Sequence, residues 1–576
     1  MKKRHPSPIA SKPVWTVLLF ALGGLTFAAI EGKEIPWPNP FSLADLSTTL
    51  LPSAQDSTVS SEEKHVDGEL EQLEAQLAGL DELPSQEAPS SLKKDPPDKP
   101  AQVNKRTMAP SPRRAPVEAL AETQEQPTSG GMSKSSGGAD FPLEMRQSRV
   151  ASKPQPPREE KTADEKTQKK TKERVPSPIP MSLQKLGVKE IPPVESFCAG
   201  KNEGCEGEGM DPFYKALSHV KKRGKVRIMV YGDSMVMGDL IVSTLRERLQ
   251  KAFGNAGPGL ILPVKPCKWY GIDGARTWNS KSWKVYRVTQ PHISDGLYGI
   301  AGQTAQVTGA GHKARIRCED DCRWSDITSY DIFYLANPDA GALTITLPQA
   351  DVTRTLEMDA EMLKGAVESI RTAPFELDLE IQTDSGTSRI FGVAAESDGP
   401  GVVVDSISIL GSRSYRLNNI DSEHFSNQLR LRNPDLVILM FGANESENEH
   451  VSYDSYKKEL KTLVRTVKRG IPNGSILMTS PPARGERSGG RIRVKPVISE
   501  LIEVQKEVCR EEGIAYWNEH DAMGGEDGPS AWFKHRPRLL TGDLVHFSRS
   551  GASLMGKLLY AAILQGYLDY RQSLAH

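Results

Sequence analysis

Cysteine is scarce, with six in 576 residues, which excludes a scaffold built on disulfides. Aromatic residues make up 6% of the chain and hydrophobic residues 37%, with a mean hydropathy of −0.46. Those values exclude a multi-span membrane protein. Neither sign of charge dominates. The 73 Lys+Arg against 74 Asp+Glu leave a formal net charge of −1, whereas a nucleic-acid-binding domain is usually strongly basic. Long apolar runs are also missing, except for one near the N-terminus, and no internal repeat is visible.

That run divides the chain. Residues 1–13 are basic, and residues 14–30 (VWTVLLFALGGLTFAAI) carry no charge. A basic start before an apolar stretch reads as an uncleaved anchor or a secretory signal, with Thr26-Phe27-Ala28 as a tolerable cleavage site. The anchor reading is preferred. It puts the basic tail in the cytoplasm and the rest of the chain outside it, tethered to the membrane, or free there if the segment is cleaved. Residues 31–190 hold 20 of the 41 prolines, no cysteine, and Trp37, Phe41 and Phe141 as their only aromatics. Such a segment buries too little apolar surface to offset its chain entropy, so it reads as a disordered tether.

Residues 191–576 hold all six cysteines and 30 of the 36 aromatics, and form the folded part. Short apolar runs at Val226–Tyr231, Val402–Leu410, Asp435–Phe441, Ser475–Thr479 and Ile514–Trp517 read as buried strands. Helical patterns lie between and around them, at about 211–223, 239–253, 423–432, 455–469, 497–512 and 550–574. The alternation predicts an α/β domain, a five-stranded parallel sheet with helices on both faces, over 191–264 and 402–576. Between them, residues 265–401 show short β-like runs with turn residues, which predicts an inserted antiparallel β-sandwich.

Four segments carry the chemistry. Tyr231-Gly232-Asp233-Ser234 ends the first strand and puts a serine near a helix start, although Asp and Ser are also ordinary helix caps. Asp543-Leu544-Val545-His546 offers an imidazole to take a serine proton and a carboxylate to orient it; alone, it reads more readily as a capped turn beside a surface histidine. Asn444, in Phe441-Gly442-Ala443-Asn444, and Gly411, after the second strand, stand where an amide and a backbone N–H can meet a developing oxyanion, or where an ordinary turn needs them. Trp269 and Tyr270 fall in an aromatic cluster that serves either to stack on sugar rings or to pack the insert. Cys318 and Cys322 flank acidic residues near His312, but two thiols and one imidazole lack zinc-site spacing, so no metal is expected.

In their order along the chain these segments resemble the SGNH (GDSL-type) hydrolase family, over about 224–264 and 402–573. The resemblance implies an SGNH/flavodoxin-like sheet, with Ser234 as nucleophile and Asp543 and His546 completing the triad. The oxyanion hole would be Ser234 N–H, Gly411 N–H and the Asn444 amide, and no cofactor would be needed. Gly302-Gln303-Thr304 also looks like the family's second block. Gly411 is preferred because it follows a buried strand and lies 33 residues before Asn444, room for one helix and one strand. Gly442-Ala443-Asn444-Glu445 and Ser480-Pro481-Pro482 look like the branch that includes bacterial peptidoglycan O-acetylesterases, some of which carry an inserted sandwich resembling carbohydrate-binding modules. The resemblance thus implies removal of acetyl groups from a cell-envelope glycan. Acetyl transfer to such a glycan, or glycan binding without catalysis, are the alternatives.

Overall fold

The computed structural model describes residues 181–199, 208–447 and 452–574. The basic tail 1–13, the apolar run 14–30 and residues 31–180 of the expected tether lie outside the described residues. Among the described residues no helix is long and apolar enough to cross a membrane.

The strands of the α/β sheet run in the order Glu195–Ser196, Ala515–Trp517, Ser475–Thr479, Leu436–Met440, Lys225–Gly232, Gly401–Ser408. The last five are mutually parallel. Every residue of four of them is buried, as both faces of a covered sheet require. Numbered along the chain, the parallel strands stand in the spatial order 2-1-3-4-5, the flavodoxin-like arrangement. Its crevice opens where the chain, having laid its second strand on one side of the first, crosses to the other side. That point is at the carboxyl ends of Lys225–Gly232 and Leu436–Met440.

Two details differ from the sequence pattern. Glu195–Ser196 adds a sixth, antiparallel strand at the sheet edge, two residues being too short to leave a pattern. The folded part also begins earlier than residue 191. Met181–Lys185 is a helical turn, and Leu183, Leu186 and Val188 are buried, with Gly187 lying against Gly524. Prolines up to Pro180 give this stretch the look of the tether that precedes it.

The chain leaves the α/β unit after helix Leu240–Phe253 and returns at Gly401. The two ends of this excursion lie side by side. Val402 N–H donates to Gly254 O at 2.8 Å, and Ser397 N–H to Ala256 O at 3.0 Å. Between them are two antiparallel sheets. One has the order Val352–Glu357, Ala342–Leu347, Asp378–Thr383, Lys313–Cys318, Ala275–Asn279. The other runs Lys364–Phe375, Ile327–Ala336, Thr387–Glu396, Gln303–Thr308, Lys284–Arg287, with Gly259–Ile261 also paired to Thr387–Glu396. The excursion therefore begins at Gly259 rather than at 265; its first strand is apolar and reads as a continuation of the α/β core.

Buried charge fastens the two parts together. Arg432, at the end of helix Ser422–Arg432, holds Asp405 of the parallel sheet at 2.7 and 2.8 Å and Glu396 of the insert at 2.5 Å. Arg227 adds a bidentate pair to Glu396 at 2.8 Å, and Asp405 accepts Leu260 N–H at 2.8 Å. Burial pushes the Glu396 carboxyl up, but Arg432, Arg227 and Lys225 overcome this and hold it far below the usual carboxylate range. Removing one partner of such a network strands the others without water. Glu396→Gln is expected to lower unfolding free energy by about 3–5 kcal/mol, read as a shifted midpoint in chemical denaturation.

Candidate active site

Gly232 ends the first parallel strand. A Cβ there would fall 2.6 Å from Val236 Cγ2 and 3.0 Å from Met440 O, so only glycine lets the chain fold this tightly beneath the next residues. Asp233 is fully buried and caps the following turn, its Oδ1 accepting Met235 N–H at 2.9 Å. Ser234 is the first residue of a 3₁₀ segment, Ser234–Asp239, which is kinked at Met237 and Gly238. The long helix starts only at Leu240. The serine therefore sits on a short turn, and the dipole of that helix is not aimed at it from the adjacent residue.

The other half of the site comes from residues 538–549. Thr541 N–H donates to His546 O at 2.8 Å and Ser548 N–H to Leu539 O at 2.9 Å, making a narrow stem just before helix Arg549–Ser573. At its tip Leu544 takes φ +61°, a left-handed conformation costly for a branched side chain, and its carbonyl accepts Gly485 N–H at 2.9 Å. This turn brings Asp543 Oδ2 to 2.6 Å from His546 Nδ1. Asp543 Oδ1 accepts the Thr541 hydroxyl at 2.6 Å and the N–H groups of Val545 at 2.9 Å and His546 at 3.1 Å. Burial raises the Asp543 carboxyl, but His546 and these donors hold it well below the usual range.

Ser234 Oγ lies 2.8 Å from His546 Nε2, across 312 residues of sequence. An ionised Asp543 assigns the proton to Nδ1, so Nε2 carries the lone pair and accepts the Ser234 hydroxyl. The His546 and Asp543 side chains are 14% and 27% exposed, so the dyad borders solvent.

Gly411 and Asn444 lie on the neighbouring strand-end loops. Gly411 (φ +66°) occupies a turn closed by Ser412 N–H to Ile409 O at 3.0 Å. Asn444 Nδ2 donates to Asp233 Oδ2 and to Ser412 O, each at 3.0 Å. It thus ties the serine loop to the glycine loop. Among the described residues the N–H groups of Ser234 and Gly411 have no internal acceptor, while both Asn444 hydrogens are engaged. Asn444 must exchange one of these bonds before it can serve an oxyanion. Gly302 lies in the insert, where a Cβ would come 2.9 Å from Ile409 Cδ1, beneath the loop that carries Gly411.

The expected sugar platform divides. Trp269 is half-buried, with Lys268 Nζ 4.0 Å from its ring centroid. Tyr270 is only 4% exposed and its hydroxyl accepts Leu262 N–H at 2.8 Å, so it packs the insert and offers no face to a sugar. Cys318 and Cys322 are joined as a disulfide, which removes both as thiolate ligands.

Three carboxyls beneath the site, Asp233, Glu445 and Glu519, are buried, which the sequence alone does not show. Asp233 is pushed up to about 7 by burial and by Glu445, against the opposing pull of Met235 N–H, His546 and Asn444. Burial also raises Glu519 to about 8, and raises Glu445. Glu445 Oε1 accepts Ser414 N–H and Oγ–H, and Glu519 Oε2 accepts the Thr479 hydroxyl; among the described residues the second oxygen of each is buried without a partner. Asp233 had a sequence signal as a capping residue, and that role is real; Glu445, at the head of an acidic stretch that reads as a solvated loop, is instead 3% exposed.

Residues 382–554 match the GDSL-like lipase/acylhydrolase family profile. The span contains Gly411, Asn444, Asp543 and His546 and starts after Ser234, which the insert separates from it. No curated protein matches the sequence. Among solved structures, a peptidoglycan O-acetylesterase overlays with TM-score 0.55 at 21% identity, covering 65% of this chain and 99% of its own. A family two carbohydrate esterase from Cellvibrio japonicus is aligned over 51% of this chain and 98% of its own, at 11% identity and TM-score 0.22. An acetyl xylan esterase covers 28% of this chain and 81% of its own, at 18% identity and TM-score 0.23. The first of these likenesses is one of fold.

Raised carboxyls have a consequence for stability. Asp233 and Glu519 bind their protons more tightly folded than unfolded, where values near 3.8 and 4.5 apply. The folded state therefore holds more protons, and stability falls as pH rises from about 4 to about 8. Glu396, with the opposite sign, matters only below that window. Melting temperature is expected to drop between about pH 4 and pH 8, and Glu519→Gln to flatten the profile.

Proposed function

On the premise that this chain is an SGNH (GDSL-type) hydrolase, we propose that it is an extracytoplasmic serine esterase that removes O-acetyl groups from a peptidoglycan-like glycan. The observation that carries this reading is the continuous hydrogen-bond chain from Asp543 through His546 to Ser234. His546 Nε2 takes the Ser234 proton as Oγ attacks the ester carbonyl, and the imidazolium is stabilised by the ionised Asp543. The carbonyl oxygen becomes an oxyanion facing Ser234 N–H and Gly411 N–H, and Asn444 joins by releasing Ser412 O or Asp233. His546 then returns the proton to the departing sugar hydroxyl, leaving an acetyl group on Ser234. Water, deprotonated by His546, adds to that acyl group and acetate leaves with Oγ regaining its proton.

The glycan substrate is supported by the fold shared with a peptidoglycan O-acetylesterase, whose full length this chain spans. The extracytoplasmic location is supported by the basic start before an apolar run and by the Cys318–Cys322 disulfide, a bond that persists in oxidising compartments. The segment 14–30 would then anchor the chain in the inner membrane.

Full-length protein incubated with O-acetylated peptidoglycan is expected to release acetate. Ser234→Ala should lower the rate by at least about 10³-fold, and Asn444→Ala by about 10²-fold or more. Acetate release that survives Ser234→Ala would end the acyl-enzyme reading. Acetyl groups appearing on added glycan in excess of free acetate would make the enzyme a transferase.

A further inference from the structure

On a chain of net charge −1, segments 484–495 and 534–549 hold nine Lys and Arg against two carboxylates, Glu486 and Asp543. The first segment is a two-stranded antiparallel hairpin, Gly485–Ser488 with Arg491–Val494. The second contains the catalytic turn. The two touch. Gly485 N–H donates to Leu544 O, and a Cβ at Gly485 would lie 2.9 Å from Pro529 and 3.2 Å from Leu544.

Phe533, at the end of helix Gly528–Lys534, organises the cations. The Arg487 guanidinium from the hairpin stands 5.1 Å from its ring centroid, and that of Arg538 from the turn's stem stands 4.5 Å from it. One ring thus holds two cations. Arg538 O accepts the Ser548 hydroxyl at 2.6 Å, which fixes this arginine on the stem that ends in His546. Lys534 follows Phe533 in the chain, and the register puts Arg491 and Arg493 on the face of the hairpin opposite Arg487; all five are exposed. None has an ion pair among the described residues. Glu526 and Asp527, on the turn packed against Arg491–Val494, offset that end of the cluster.

Exposed cations of one sign repel one another, and ordinary surfaces intersperse the two signs. A fixed cluster at the edge of a catalytic site raises the local concentration of an anionic substrate, and guanidinium forks fit carboxylates in particular. We propose that this cluster is a docking platform for the carboxylates of the polymer whose ester Ser234 cleaves, so that the substrate is an anionic O-acetylated glycan held beside the scissile ester. This rests on the glycan esterase reading of the site. In peptidoglycan the carboxylates are those of the stem peptides. An anionic membrane surface would meet the same charge, but the platform adjoins the catalytic turn, where a bound polymer presents its own ester.

The test uses the full chain carrying Ser234→Ala, so that the polymer is not consumed. The probes are soluble O-acetylated peptidoglycan strands whose stem carboxylates are free or amidated. Free strands should bind about tenfold or more tightly than amidated ones, and binding should weaken between about 50 and 200 mM salt. Arg487→Gln with Arg538→Gln should cost about tenfold, and Lys534→Gln a smaller factor in the same direction. The same charge loss on the insert, Arg354→Gln with Arg371→Gln, should leave binding unchanged. Equal affinity for free and amidated strands, or full affinity in the Arg487/Arg538 variant, overturns the proposal. So does Arg487- and Arg538-dependent binding to phosphatidylglycerol vesicles by a chain that ignores the strands. Failure of the Ser234 protein to hydrolyse a chromogenic acetate would instead defeat the esterase reading, and the binding comparison would still decide the platform.

Discussion

The 2.8 Å contact between Ser234 Oγ and His546 Nε2 joins two ends of the folded chain, and most of the architecture can be understood as what that contact requires. Ser234 is held by the first parallel strand and His546 by the stem that leads into the last helix. Each needs its own local device. Gly232 lets the chain pass beneath Met440, and the left-handed Leu544 folds Asp543 back onto the imidazole. Between them the sheet order 2-1-3-4-5 opens its crevice where the glycine and asparagine loops also end. An insertion of well over a hundred residues is tolerated because its ends meet at Gly254 and Gly401, so the parallel strands on either side keep their register.

Buried charge is used in two contrasting ways. Arg432, Glu396, Asp405 and Arg227 neutralise one another and fasten the insert to the sheet, so their carboxylates stay ionised. Asp233, Glu445 and Glu519 form no ion pair among the described residues, and burial outweighs the pull of His546 on Asp233 and of Arg413 on Glu445, driving them toward their neutral forms. Asp233 bears directly on the chemistry, because it takes one of the two Asn444 hydrogens. In this state both Asn444 hydrogens are engaged, while the Ser234 and Gly411 N–H groups have no acceptor among the described residues.

Much of the α/β layer is legible in the sequence because its strands are unbroken apolar runs and its helices repeat at 3.6 residues; Ser475–Thr479 and Val497–Glu512 fall where the pattern puts them. The triad residues are legible because each sits in a short motif at a strand end or near the last helix. What escapes lacks a period or a motif. Glu195–Ser196 is too short, and Leu183, Leu186 and Val188 follow a proline-rich tract. Tyr270 reads as platform or core until its burial is known, since an aromatic cluster looks the same in a core and on a surface. The Phe533 clamp unites Arg487 and Arg538, which are remote in sequence, and the engagement of both Asn444 hydrogens is a matter of geometry alone.

The central claim is that the imidazole makes one particular hydroxyl a nucleophile. The most direct measurement is covalent capture by a fluorophosphonate, followed by peptide mass spectrometry. The account predicts a single adduct on Ser234, formed on the order of 10³-fold more slowly in His546→Ala. An adduct on another residue, or labelling of Ser234 that is indifferent to His546, would contradict it.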